Sequence, residues 1–169
     1  SARCLSFLAQ AGCGKDHPAV KAAIAYLRAE QEEDGSWFGR WGTNYVYGTW
    51  SVLSAFNVIG IAADDPAIVQ AVAWLNLQQR ADGGWGEDGA TYWHEHKGEA
   101  KTSTPTQTSW ALLALMAAGE TDSDIVKNGI EYLMDAPHAD GKWDEQHYNA
   151  VGFPKVFYLM YHGYPVYFP

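Results

Sequence analysis

Four aromatic residues near the carboxy terminus, Phe153, Phe157, Tyr161 and Tyr164, recur at i, i+4, i+8 and i+11, the spacing of one helical face. The segment opens with Gly152-Phe153-Pro154, which suits a helix start, so a buried helix is expected over 153–163. Its only formal charge is Lys155. Such a stripe is either ordinary core or the wall of a cavity, and the residues alone leave both open. A wall of π faces would suit a cationic species, because ring quadrupoles attract positive charge without offering a nucleophile. Trp41 and Tyr47 lead into an uncharged segment that continues from Trp50. Taken alone they read as a tryptophan in a glycine-bounded turn and a tyrosine that satisfies a helix end.

Other groupings carry less. His94-Glu95-His96 with Glu99 has the residue types of a metal site, but it sits in a polar insertion with Lys97-Gly98 and reads as a solvated loop. Glu87-Asp88 and Asp144-Glu145 stand at equivalent places after Trp85 and Trp143 and are expected to cap the next helix. No glycine-rich phosphate loop or nucleophile elbow occurs. No metal and no cofactor are expected. A net charge of −9 argues against nucleic acid. No uninterrupted apolar run reaches the roughly 18 residues that a spanning helix needs, and the start at Ser1 does not read as a signal peptide. Cys4 and Cys13 have no partner motif and are expected to be reduced thiols.

What positions these residues is a repeat. Trp37, Trp85 and Trp143 are preceded by Asp34-Gly35-Ser36, Asp82-Gly83-Gly84 and Asp140-Gly141-Lys142, and further back by Tyr26-Leu27, Trp74-Leu75 and Tyr132-Leu133. The units run approximately 13–60, 61–119 and 120–169, within one domain. In each, an amphipathic segment (near 18–31, 66–79 and 124–135) precedes an uncharged or nearly uncharged one (near 45–59, 105–118 and 153–163). Val20, Ile24 and Leu27 keep helical spacing, as do Ile68, Val72 and Leu75. Pro18 and Pro66 suit first turns, with Asp16 and Asp64 or Asp65 as caps. A helix without a polar face has to be enclosed. The expected fold is therefore all-α, a partial α/α barrel of alternating outer and inner helices; a stacked solenoid is the alternative. No capping unit is recognisable at either end, so the repeat reads as truncated.

Gln31-Glu32-Glu33-Asp34-Gly35-Ser36-Trp37 and Gln79-Arg80-Ala81-Asp82-Gly83-Gly84-Trp85 resemble the QW motif of triterpene cyclases, with Gly141 and Trp143 in a third copy whose glutamine position is Pro137. In this motif the Gln amide is expected to stack on an indole and tie the outer helix to the next inner one. The stretches 37–49, 103–112 and 152–159 are similar to squalene–hopene cyclases, a resemblance that covers essentially the whole chain. It implies an enzyme in which an Asp-x-Asp-Asp acid protonates squalene and the polyene closes through carbocations. It also implies a second α-barrel domain, no metal, and a full-length protein on one membrane leaflet. On this resemblance Phe153, Phe157, Leu159, Tyr161 and Tyr164 line the cavity, and Trp41 and Tyr47 face it near the acid. Arg3 falls where relatives carry the acid's partner, though disorder is expected so close to the terminus. Asp-x-Asp-Asp itself is absent, so these residues are expected to supply cavity wall but no initiating acid. A protein prenyltransferase β-like subunit and a non-catalytic α/α-barrel interaction module are the competing readings.

Overall fold

The computed structural model describes residues 1–100, 102–135 and 140–169. Pro137 lies outside these residues. The described elements are α1 (Ala2–Gln10), α2 (Pro18–Ala29), α3 (Tyr45–Ile59), α4 (Pro66–Gln78), α5 (Pro105–Ala117), α6 (Asp124–Asp135), strands β1 (Ala150–Phe153) and β2 (Phe157–Leu159), and a final turn α7 (Tyr164–Tyr167). Single 3₁₀ turns occupy Gly89–Tyr92 and His94–His96.

Proline fixes the first turn of α2, α4 and α5, and a side chain just ahead of each accepts an otherwise unpaired N–H. Asp65 accepts from Ala67 (3.0 Å) and Thr104 from Gln107 (3.2 Å). At α2 the cap is His17 Nδ1, which accepts from Ala19 at 3.2 Å; the expected Asp16 instead pairs with Lys21. The charge-free α3 and α5 pack side by side, with α1 on the far side of α3, and most of their residues are buried. Helices α2, α4 and α6 keep exposed faces and form the outer layer. The molecule is thus an all-α double layer with one small hairpin.

The turn after the first two outer helices repeats bond for bond, and the third turn shares its indole bond. The indole N–H of Trp37, Trp85 and Trp143 donates to the carbonyl of Leu27 (2.7 Å), Leu75 (2.8 Å) and Leu133 (3.0 Å). The backbone N–H of Trp37 and Trp85 donates to Thr49 and Thr108 of the inner helix that follows. Gln31 Nε2 donates to Gly35 and Ala67 (both 2.9 Å), and Gln79 Nε2 to Gly83 and Ile125 (both 2.8 Å). Ala67 and Ile125 belong to α4 and α6. The glutamine clasp therefore reaches the next outer helix, not the next inner one, and the tie to the inner helix is the tryptophan backbone.

These turns also explain their glycines. Gly35 and Gly83 have φ of +95° and +84°, and a Cβ there would stand 2.6 and 2.5 Å from the carbonyl oxygens of Gln70 and Asn128. Gly141 has φ of +76° but nothing within 4 Å. Gly83→Ala is accordingly expected to cost about 3 kcal/mol or more, combining left-handed strain with overpacking, and Gly141→Ala about 1–2 kcal/mol from strain alone. Urea unfolding of the two variants checks this; equal losses would mean that the turn does not bear on the next outer helix.

Candidate functional site

Inner helices without charge present tryptophans to one another. Trp50 on α3 and Trp110 on α5 stack at 5.8 Å with an interplanar angle of 10°. Tyr47, one turn before Trp50, meets both edge-on at 6.0 and 5.2 Å. Tyr164 and Phe168 stand edge-on to Trp110 at 5.7 and 5.5 Å, and Tyr161 packs on Tyr164 at 4.9 Å. Each such pair contributes about 0.5–1.5 kcal/mol beyond its buried area. Burial raises the Tyr164 hydroxyl pKa, keeping that group neutral. Trp50, Trp110 and Phe168 are absent from the residues that the sequence singled out; their nearest signal was Trp50 lying one helical turn from Tyr47.

The segment 153–163 is not a helix. Strands β1 and β2 form an antiparallel hairpin with Ala150 opposite Leu159, Val151 opposite Tyr158 and Phe153 opposite Phe157, with an irregularity at Gly152. Val151, Val156, Phe157 and Tyr158 are β-branched or aromatic and suit a strand. Lys155 turns the chain at φ +66°, and Val156 N–H donates to the Phe153 carbonyl at 3.0 Å. An ideal Cβ on Gly152 would fall 2.0 Å from the Phe157 ring, so only glycine leaves room for that ring. The hairpin keeps Phe153 and Phe157 together, edge-on at 5.7 Å, by cross-strand pairing in place of helical spacing. Alternation along β2 adds Leu159 to the same face, where a helix would have turned it away. Tyr158 points to the other side and donates to the Gly89 carbonyl at 3.1 Å.

Bonds from the loops fix these parts relative to one another. Val151 N–H donates to the Trp41 carbonyl at 3.0 Å, which sets the half-exposed Trp41 beside β1. Asn149, buried, accepts from Tyr161 N–H (2.9 Å) and donates to the Tyr161 carbonyl (3.1 Å). Arg3 lies in α1, with its guanidinium 4.2 Å over the Trp50 ring. Glu87 is buried and accepts from the backbone N–H groups of Asn44 (3.0 Å), Tyr45 (3.2 Å) and Val46 (2.8 Å). It thus caps α3 of the preceding repeat, not the helix that follows it. Glu145 stands likewise against Thr106 at the start of α5. Asp88 caps the short 3₁₀ turn at Ala90.

Of the remaining expectations, His94, Glu95 and His96 lie exposed on a 3₁₀ turn, and His96 pairs with Glu99 at 2.8 Å. Among the described residues no group of three or more His, Cys, Asp or Glu is arranged to hold a metal, and no helix is long and apolar enough to cross a membrane. Cys4 and Cys13 are free.

A double layer of helices with an aromatic inner face is the architecture of a terpene cyclase. A type II terpene cyclase from Scytonema superimposes with a TM-score of 0.60 at 26% identity, over 82% of this chain and 38% of that one. The family model for the squalene-hopene cyclase C-terminal domain matches residues 1–169, and the chain belongs to that family. It is 60% identical over its whole length to a squalene-hopene cyclase of Schizosaccharomyces japonicus and 55% identical to one of Bradyrhizobium diazoefficiens. It spans about 26% of the length of each.

Glu87 gives this site a testable dependence on pH. Burial raises its carboxyl pKa above the ordinary 4.5, with the three N–H donors opposing. The folded chain therefore holds this proton more tightly than the unfolded one, and the stability linked to Glu87 declines as pH rises through the raised value. Glu87→Ala, which leaves the α3 donors unpaired, is expected to cost about 2–4 kcal/mol. Glu87→Gln should cost less and flatten that pH slope, read by denaturation across pH 4 to 8.

Proposed function

We propose that this chain forms part of a squalene–hopene cyclase and supplies aromatic wall to the cavity in which the polyene folds. The observation that carries the reading is the paired arrangement of rings: Tyr47, Trp50 and Trp110 on the inner helices, Tyr164 on the final turn, and Phe153 and Phe157 on the hairpin face with Leu159. Proton transfer to a terminal alkene breaks an O–H bond, forms a C–H bond and leaves a tertiary cation. Each further ring closes when the next double bond donates its π pair to that cation, and loss of a proton or capture of water ends the sequence. No counter-ion accompanies the charge, so it needs polarisable partners that do not react with it. Phenyl and indole faces meet that need, at about 2 kcal/mol or more per desolvated ring. A carboxylate in their place would trap the cation or remove its proton early.

In this proposal Phe153, Phe157, Tyr161 and Tyr164 face the migrating charge, Leu159 shapes the cavity, and Trp41 and Tyr47 lie toward the acid. Arg3 is that acid's partner. The chemistry needs a proton source and no metal or organic cofactor. The initiating acid belongs to the rest of the enzyme, since no Asp-x-Asp-Asp occurs in these 169 residues; the full-length enzyme works on one membrane leaflet of a bacterium. The Scytonema enzyme has been captured with geranylgeranyl dihydroxybenzoate as substrate, which supports an isoprenoid for this cavity too.

Phe157 is the residue to test. In the full-length enzyme Phe157→Ala should lower turnover and release incompletely cyclised products, while Phe157→Tyr or Phe157→Trp keeps more activity. A packing residue behaves otherwise: Phe→Ala then costs about 3–5 kcal/mol of stability with the product mixture unchanged. Melting temperature and product distribution of the same variant distinguish the two. The 169 residues alone, incubated with squalene, should give no pentacyclic product by mass spectrometry; a product dependent on them would refute the assignment of the acid elsewhere.

A further inference from the structure

Arg3 is held by rings. Its guanidinium lies 4.2 Å over Trp50 and 5.7 Å from the centroid of Tyr47. Among the described residues nothing else pairs with that guanidinium by salt bridge or hydrogen bond. Glu30 and Glu32 line the same 440 Å³ cavity as Arg3, Trp41 and Tyr47, and neither is its partner. Trp50, by contrast, is buried, stacked on Trp110 and met edge-on by Tyr47 and Phe168. A planar guanidinium resting on a closely packed indole has its orientation set while its N–H donors stay unspent. Such a fork matches a carboxylate.

We propose that Trp50 is a positioning residue for the initiating step, acting through Arg3. Its ring, assisted by Tyr47, aims the guanidinium at the carboxylic acid that the rest of the enzyme supplies. When that acid gives its proton to the terminal alkene, the carboxylate left behind gains the guanidinium as counter-charge, which makes the acid stronger. The inference rests on the cyclase reading above and adds a residue that works before any ring has closed. Phe157, in comparison, acts on a cation that already exists.

The full-length enzyme tests it with two substrates, squalene and its terminal epoxide. The epoxide oxygen is far more basic than an alkene and accepts a proton from a weaker acid. Trp50→Leu should lower kcat on squalene about tenfold and on the epoxide much less, with Trp50→Phe between Trp50→Leu and the parent enzyme. Arg3→Ala should show the same selectivity, and the double variant should be no slower than Arg3→Ala alone, since both act on one step. Gly83→Ala, which strains a turn that touches neither Arg3 nor Trp50, should lower the melting temperature and leave the substrate ratio unchanged. Equal losses on both substrates in Trp50→Leu and Trp50→Phe would overturn the proposal, as would losses that multiply in the double variant. An unsubstituted enzyme that cyclises neither substrate would instead overturn the cyclase reading, and this inference with it.

Discussion

An outer helix in this chain ends with carbonyls that have no helical partner, and a tryptophan ten residues on supplies one. The indole N–H of Trp37 goes to Leu27, that of Trp85 to Leu75 and that of Trp143 to Leu133. Trp37 and Trp85 are also buried, so the hydrogen bond forms where water cannot compete for it. With the indole pinned, its backbone N–H falls on the threonine of the next inner helix, and the glutamine ahead of the turn falls on the next outer helix. Outer, inner and neighbouring helices are thereby held by one turn. The indole and threonine bonds close within one repeat, but the glutamine bond needs the next one, so the units hold together as an array.

The aromatic site inherits its geometry from that turn. Trp50 and Trp110, which stack on each other, follow by one and two residues the threonines that the Trp37 and Trp85 N–H groups bind. Glu87, two residues beyond Trp85, reaches back and closes the start of α3, the helix that carries Tyr47 and Trp50. The buried carboxylate costs desolvation, and three helix N–H groups offset part of it. At the base of the hairpin Asn149 binds both backbone groups of Tyr161, which closes β1 and β2 just before Tyr164.

Much of this was legible in the sequence, and the failures have physical causes. Proline at first turns, Asp-Gly steps and missing charge marked five helices, because each of those signals acts locally. The segment 153–163 misled because Phe153, Phe157, Tyr161 and Tyr164 fit a period of 3.6 while the strand pairing that competes with it depends on a turn at Lys155 that no glycine announces. The aromatic pair Trp50–Trp110 was hidden for the opposite reason: in helices apolar all round, no periodicity says which face meets which. Glu87 was read as a cap for the helix after it because sequence proximity favours that choice; its partners lie 41–43 residues upstream, at the start of α3. The contact of Arg3 with the Trp50 ring is likewise one that no local pattern encodes.

The central claim is that these rings stabilise positive charge and do not merely fill space. Affinities of the full-length enzyme for two unreactive squalene analogues test it most directly, one carrying an ammonium where a mid-cyclisation cation would form and one its neutral isostere. The unsubstituted enzyme should bind the ammonium analogue more tightly, and Phe157→Leu should lose about tenfold of that preference while binding the neutral analogue almost unchanged. A preference for the ammonium that survives Phe157→Leu intact, or no preference to begin with, would contradict the claim.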